Sequence, residues 1–335
     1  MRRATIVVVL LQVIVLLYMA GEREYIVRYG QSVYLRTAPI DPRDIFRGDF
    51  VRLDYELSQI GAAKMAGTLK SSPPARGVKV YASLKLGADD LAELDVISNV
   101  EPESGLYLRG RTDYWASADK IDVKYGIEQL FVEQGRGLDI EKRRGSRESL
   151  QIPMEVALGV SASGTAVIKG FRWSKVGMQL AILRRPPRDI STNDGQQDEP
   201  RSPKLQLIMK NVSDEVLALV DSGDHCGFEI VSGVRQNHEY SAAYKGCSGI
   251  APVDSDVVEL APDQEYSVEF DMSDVRWHVQ SGDLVQEIGK FDNWGTYRIV
   301  YRAPDVVSVA DLKANHRIWM GYLPSRAFTA LGRVD

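Results

Sequence analysis

Six charged side chains crowd one short stretch: Arg43, Asp44, Arg47, Asp49, Arg52 and Asp54. Cations and carboxylates this close together could line a polar groove. Strand alternation is a second account of the last two. In FVRLDYEL (50–57), Val51, Leu53, Tyr55 and Leu57 share one face, and Arg52, Asp54 and Glu56 share the other. Tyr125 and Glu128 make a second polar pair, in YGIE (125–128), open to the same two accounts of groove or scaffold. His225, Cys226 and His238 are the nearest approach to a metal-ligand set, but they sit on loop-like sequence. The chain has no His-Glu-x-x-His and no Cys-x-x-Cys. It also lacks the Gly-x-Ser-x-Gly, Walker and Gly-x-Gly-x-x-Gly loops. No metal and no cofactor is expected, and no catalytic residue is assigned.

The N-terminus sets where these residues would act. Residues 4–20 read ATIVVVLLQVIVLLYMA, with Gln12 the one clearly polar member. At about 1.5 Å per residue the run spans roughly 25 Å, enough to cross a bilayer. Arg2 and Arg3 precede it, and positive charge stays on the cytoplasmic side. The reading is a single-pass inner (cytoplasmic) membrane protein, anchored by 1–21. Its lipid partner contacts residues 4–20, its N-terminus lies inside, and residues 21–335 lie on the periplasmic or extracellular side. A cleaved signal peptide is the alternative, but it prefers a shorter apolar run and a small residue where Tyr18 stands. Cys226 and Cys247 are the only cysteines, so in an oxidising compartment they are expected to bridge.

The chain has 335 residues, 44% apolar and 26% charged, with a net charge of -5. That balance excludes wholesale disorder and argues against a nucleic-acid partner, which needs a concentrated basic face. Residues 185–203, RPPRDISTNDGQQDEPRSP, are proline-rich and polar, and read as a linker between domains at 22–184 and 204–335. Both halves alternate with period two, as in KVYASLKL (79–86), EYSVEFDM (265–272) and TYRIVYR (296–302). Such runs separated by turn residues predict a mainly β chain. IPMEVALGV (152–160) and GTAVIKGFRW (164–173) predict a hairpin, and GRGLDIEKRRGSRES (135–149) predicts a helix.

The segment TAPIDPRDIFRGDFVRLDYELS (37–58) resembles the GDYXXLXY family of bacterial membrane-anchored proteins. The motif stands here as Gly48, Asp49, Phe50, Val51, Arg52, Leu53, Asp54 and Tyr55, with Phe50 where the family has tyrosine. The block around Tyr125, Gly126, Ile127 and Glu128, and the strand GTAVIKGFRW, are similar to later parts of that family. The resemblance covers about residues 25–175 and implies a membrane-anchored, β-rich (α+β) domain without implying a reaction. Residues 204–335 resemble an immunoglobulin-like β-sandwich of the bacterial envelope, with Tyr297 as its tyrosine corner and Asn211–Asp214 as the turn of its first hairpin. Ile40–Leu53 also has some likeness to type I signal peptidases. That likeness implies Thr37 or Ser32 as nucleophile with a lysine to activate it, although the Ser-x-Met-x-Pro of those enzymes is absent.

These readings converge on an envelope-facing binding or interaction protein with an envelope protein or glycan as partner. The alternative is an envelope hydrolase or glycan-modifying enzyme with its site in the first domain.

Overall fold

A computed structural model describes residues 2–38, 50–72, 74–113, 120–133, 136–145, 149–186, 202–223, 225–233, 241–242, 247, 250–281, 284–291 and 296–334. The chain is mainly β, with one N-terminal apolar helix. That helix, α1 (Arg2–Tyr29), has 28 residues and is therefore about 42 Å long. It is long and apolar enough to cross a membrane, and its side chains from Thr5 to Tyr25 are exposed. The last nine residues, Gly21–Tyr29, carry the helix about 14 Å past the apolar run. There Glu24 and Arg28 pair one turn apart at 2.6 Å.

The end of α1 is built into the first domain. Ile26 is buried against Gly159, where a Cβ would lie 2.6 Å from the Ile26 carbonyl oxygen. A side chain at 159 would push the helix off the sheet.

The first domain contains β1 (Gln31–Arg36), β2 (Phe50–Arg52), β3 (Gln59–Gly61), β4 (Lys79–Leu86) and β5 (Ala92–Ser98). It continues with β6 (Tyr107–Thr112), β7 (Lys120–Lys124), β8 (Gln129–Phe131), β9 (Met154–Val160) and β10 (Ala166–Trp173). Two helices interrupt them, α2 (Thr68–Ser71) and α3 (Arg136–Arg144). Strands order as β1-β9-β10, β2-β8 and β3-β7-β6-β4-β5, all antiparallel. Their apolar faces enclose one core that includes Leu35, Leu53, Ile60, Ile97, Leu108, Ile121 and Met154. The expected hairpin is β9–β10, turned through Ser161–Thr165.

The second domain contains β11 (Val176–Arg184), β12 (Lys204–Asn211), β13 (Leu217–Val220), β14 (Phe228–Ser232) and β15 (Ser241–Ala242). It then adds β16 (Val257–Leu260), β17 (Glu265–Asp271), β18 (Val279–Ser281), β19 (Leu284–Gln286), β20 (Thr296–Arg302), β21 (Tyr322–Pro324) and β22 (Phe328–Thr329). The sheet β11-β12-β17 and the sheet built around β20 share one core, where Leu207 and Phe270 of the first meet Ile230, Ile299 and Tyr301 of the second.

This places the boundary elsewhere than expected. Residues 176–184 were assigned to the first domain, but as β11 they pair with β12 over its whole length. Val176, Met178 and Leu180 alternate into the second core, which gives the strand its place. The chain passes between domains near Ser174. Residues 187–201, the core of the expected linker, lie outside the described residues and join two strands of one sheet.

One local expectation in this half also shifts. Asn211 does organise a turn, its side-chain oxygen accepting from the Ser213 N–H at 3.0 Å, but β13 then pairs with β16 instead of folding back on β12. Tyr297 is buried against Phe328, and the Tyr301 hydroxyl both accepts from and donates to Val220. Cys226 and Cys247 form the expected disulfide. Closing that loop of 21 residues restricts the unfolded chain by about 3 kcal/mol.

The domains meet through a layer of charge. Arg298 of β20 makes a two-point pair with Glu56, at 2.8 and 3.0 Å, and both are buried. Burial opposes the Arg298 charge, and Glu56 more than offsets it, so the guanidinium is held above its ordinary pKa. Arg302 reaches Glu93, and Arg36 of β1 lies 4.6 Å from the Tyr322 ring.

Candidate functional site

The motif residues come together, but as a clasp. Tyr55 is fully buried, and its hydroxyl donates to the Ile127 carbonyl at 2.7 Å. In return the Tyr125 hydroxyl donates to the Leu57 carbonyl at 3.0 Å. Glu128 accepts from the N–H groups of Tyr125 and Gly126 at 2.6 and 3.0 Å, and its own carbonyl accepts from the Leu53 N–H. Gly126 has φ +81°, a left-handed turn that glycine adopts without strain. Burial, with the Glu128 charge added, pushes both phenols well above the ordinary tyrosine range. These hydroxyls are committed to backbone and none is offered to a ligand.

Leu53 belongs to the core beneath this clasp, Arg52 is exposed, and Asp54 is half-buried. Phe50 opens β2 opposite Phe131, its side chain outside the described residues. Gly48 and Asp49 lie outside the described residues, as do Arg43, Asp44 and Arg47.

The open feature of the first domain lies just past the clasp. A cavity of about 590 Å³ separates α3 from β8 and from β10. Ile140 anchors α3 to the core, and the left-handed Gly145, φ +87°, ends the helix. Three aromatic residues line the cavity: Phe131, Phe171 and Trp173. Arg136, Arg143 and Lys169 supply cations, and Glu133 and Asp139 supply carboxylates. Arg136 approaches Glu133 at 3.8 Å, while the Arg143 guanidinium lies 5.3 Å from the Trp173 ring. The volume falls in the range of ordinary ligand sites, with aromatic walls and five charged side chains among the lining residues. None of these residues was singled out from sequence. The signal was present in Phe131, an aromatic on the outward face of a strand, and in the aromatic pair of GFRW.

Two polar contacts elsewhere have chemical interest. Lys169 donates to the Ser32 hydroxyl at 2.8 Å, with both side chains at the surface. Thr37, the other nucleophile implied by the signal-peptidase likeness, is buried and donates to the Met154 carbonyl. In the second domain His225 and Tyr266 converge on one oxygen of the buried Asp221. His238 lies outside the described residues, and among those residues no cluster of three metal-ligating side chains forms.

Residues 12–171 match a family model described as GDYXXLXY protein. This part of the chain is similar to the GDYXXLXY family. The match runs from within α1 to Phe171, so the GDYXXLXY segment carries the docked helix, the clasp and most of the cavity lining. No curated protein matches the chain, and no solved structure does.

Proposed function

We propose that the protein is a single-pass membrane-anchored binding protein that faces the bacterial envelope and takes its partner in the groove between α3 and β10. The cavity carries this reading: it is ligand-sized, aromatic, charged at its rim and outside the tightly bonded motif. Ile26 docks the end of α1 on the sheet that borders the groove, and the apolar run before it is long enough to cross a membrane. The disulfide supports an oxidising compartment. The partner is then an envelope protein or glycan. Two measurements test this. A reporter fused after Asp335 is expected to work only outside the cytoplasm. A photo-crosslinking residue in place of Phe131 is expected to give a discrete adduct in cells, while the same residue in place of Val100, also exposed but away from the groove, gives none. Equal adducts at both positions would refute the groove.

A second reading, an envelope hydrolase, rests on Ser32 and Lys169. A lysine close to a serine hydroxyl is one way to generate a nucleophile. Both side chains are exposed. A fluorophosphonate probe that labels the protein, but not its Ser32→Ala variant, would establish this reading.

A further inference from the structure

The groove has a property that aromatic lining alone does not explain. One of its walls is a strand edge left unpaired among the described residues. β10 pairs with β9 on one side, and no strand among the described residues pairs with the other. Residues 168–171 and 173 of this strand line the cavity. An unpaired edge is a row of backbone donors and acceptors, ready to accept another strand. Proteins usually blunt such edges with lysines and bulges, and β10 carries both, in Lys169 and in the register shift between Ile168 and Gly170. Here α3 also walls the edge in, leaving room for a single segment instead of a second sheet.

Charge narrows the occupant. Arg136 faces Glu133, whereas Arg143 and Lys169 have no carboxylate partner among the described residues. The last turn of α3 adds Lys142 and Arg144 beside Arg143. The aromatic geometry disfavours a sugar stacked on Trp173. Sugars need an open ring face, but Arg143 already covers Trp173, and Phe171 meets the same ring edge-on at 5.9 Å and 86°.

We propose that the groove accepts an extended, acidic peptide segment of a partner protein, added as a strand to the free edge of β10. This rests on the groove being the ligand site. The β10 residues that line the cavity span six positions, 168–173, so roughly 20 Å of peptide is engaged. Alternate backbone amides of the guest bond to β10. Its carboxylates meet Arg143, and its apolar side chains meet Phe131 and Phe171.

The test uses the full chain in lipid nanodiscs and a dye-labelled octapeptide that alternates valine with glutamate, read by fluorescence anisotropy. An added strand uses every second amide. Methylating one alternate set of peptide nitrogens is therefore expected to weaken binding about tenfold or more, while methylating the other set leaves it. Arg143→Glu is expected to weaken the glutamate peptide and to admit the valine–lysine peptide. No binding of the octapeptide, or equal binding of both methylated forms, overturns the strand. Binding that persists unchanged in Phe131→Ala and Arg143→Glu shows a different site, and the groove falls with it. An N-acetylglucosamine oligomer that binds where the octapeptide does not, and is lost in Phe131→Ala, keeps the groove and overturns the peptide.

Discussion

Leu130 and Phe131 are consecutive residues of β8, and they divide two kinds of surface. Leu130 points into the core beside the clasp, where Tyr55, Tyr125 and Glu128 spend their polar groups on neighbouring backbone. Phe131 points into the groove and is 76% exposed. The clasp is the most distinctive sequence in the chain, and the groove is nearly anonymous. The difference has a physical source. A buried polar group needs a partner at fixed geometry, which demands particular residues at particular spacings. A groove needs only walls, and many sequences supply them.

The largest effect expected from this contrast is at Tyr55. Tyr55→Ala removes a fully buried ring and strands the Ile127 carbonyl, a loss of about 5 kcal/mol from cavity and unpaired oxygen together. Thermal unfolding measures it. A loss under about 1 kcal/mol would mean that the clasp is not structural and would reopen the motif as a site. Next comes the lock between domains. Arg298→Met leaves Glu56 buried without its counter-charge, at a cost of about 3 kcal/mol. Calorimetry of this variant is expected to separate the two domains' transitions, since the pair couples them. A single, unshifted transition would show the layer to be idle.

A third, smaller effect is pH-dependent. Glu155 is buried between Arg36 and Arg172, at 2.7 Å from each. Burial pushes its carboxyl up, but the two arginines prevail and hold it below the usual glutamate range. A depressed folded-state pKa means stability that is present above the unfolded value, near 4.3, and lost as pH falls through the folded one. The wild type is expected to out-melt Glu155→Gln at about pH 6, with the gap closing towards about pH 3. A gap that widens on acidification would reverse the sign and remove the arginines as the cause.

The N-terminal apolar helix, the β content, the β9–β10 hairpin, α3 and the disulfide were legible because each follows from a local pattern: an apolar run, an alternation, a charged stretch ending in glycine, an even cysteine count. The domain boundary was not. RPPRDISTNDGQQDEPRSP looks like a linker because it cannot bury surface, yet what decides domain membership is the partner of the strand before it. Pairing between β11 and β12 is non-local, and alternation alone does not say which core a strand will join. The same holds for the groove. Phe131, Arg143 and Trp173 lie on three elements, and nothing in their spacing along the chain brings them together.

The smallest stability effect is expected where the proposed function is most exposed. Phe131→Ala removes a ring that lies mostly in solvent, so unfolding is expected to move by no more than about 0.5 kcal/mol. The same change removes one aromatic wall of the groove and is expected to abolish the crosslink from a neighbouring probe at Arg136. Setting these two numbers beside those for Tyr55→Ala makes the contrast quantitative. A residue that holds the fold costs stability when lost, and a residue that holds a partner costs only binding. If Phe131→Ala instead destabilises as Tyr55→Ala does, the ring is part of the core's closure and β8 has no binding face. If it changes neither stability nor crosslinking, the wall is dispensable and the ligand does not sit against β8.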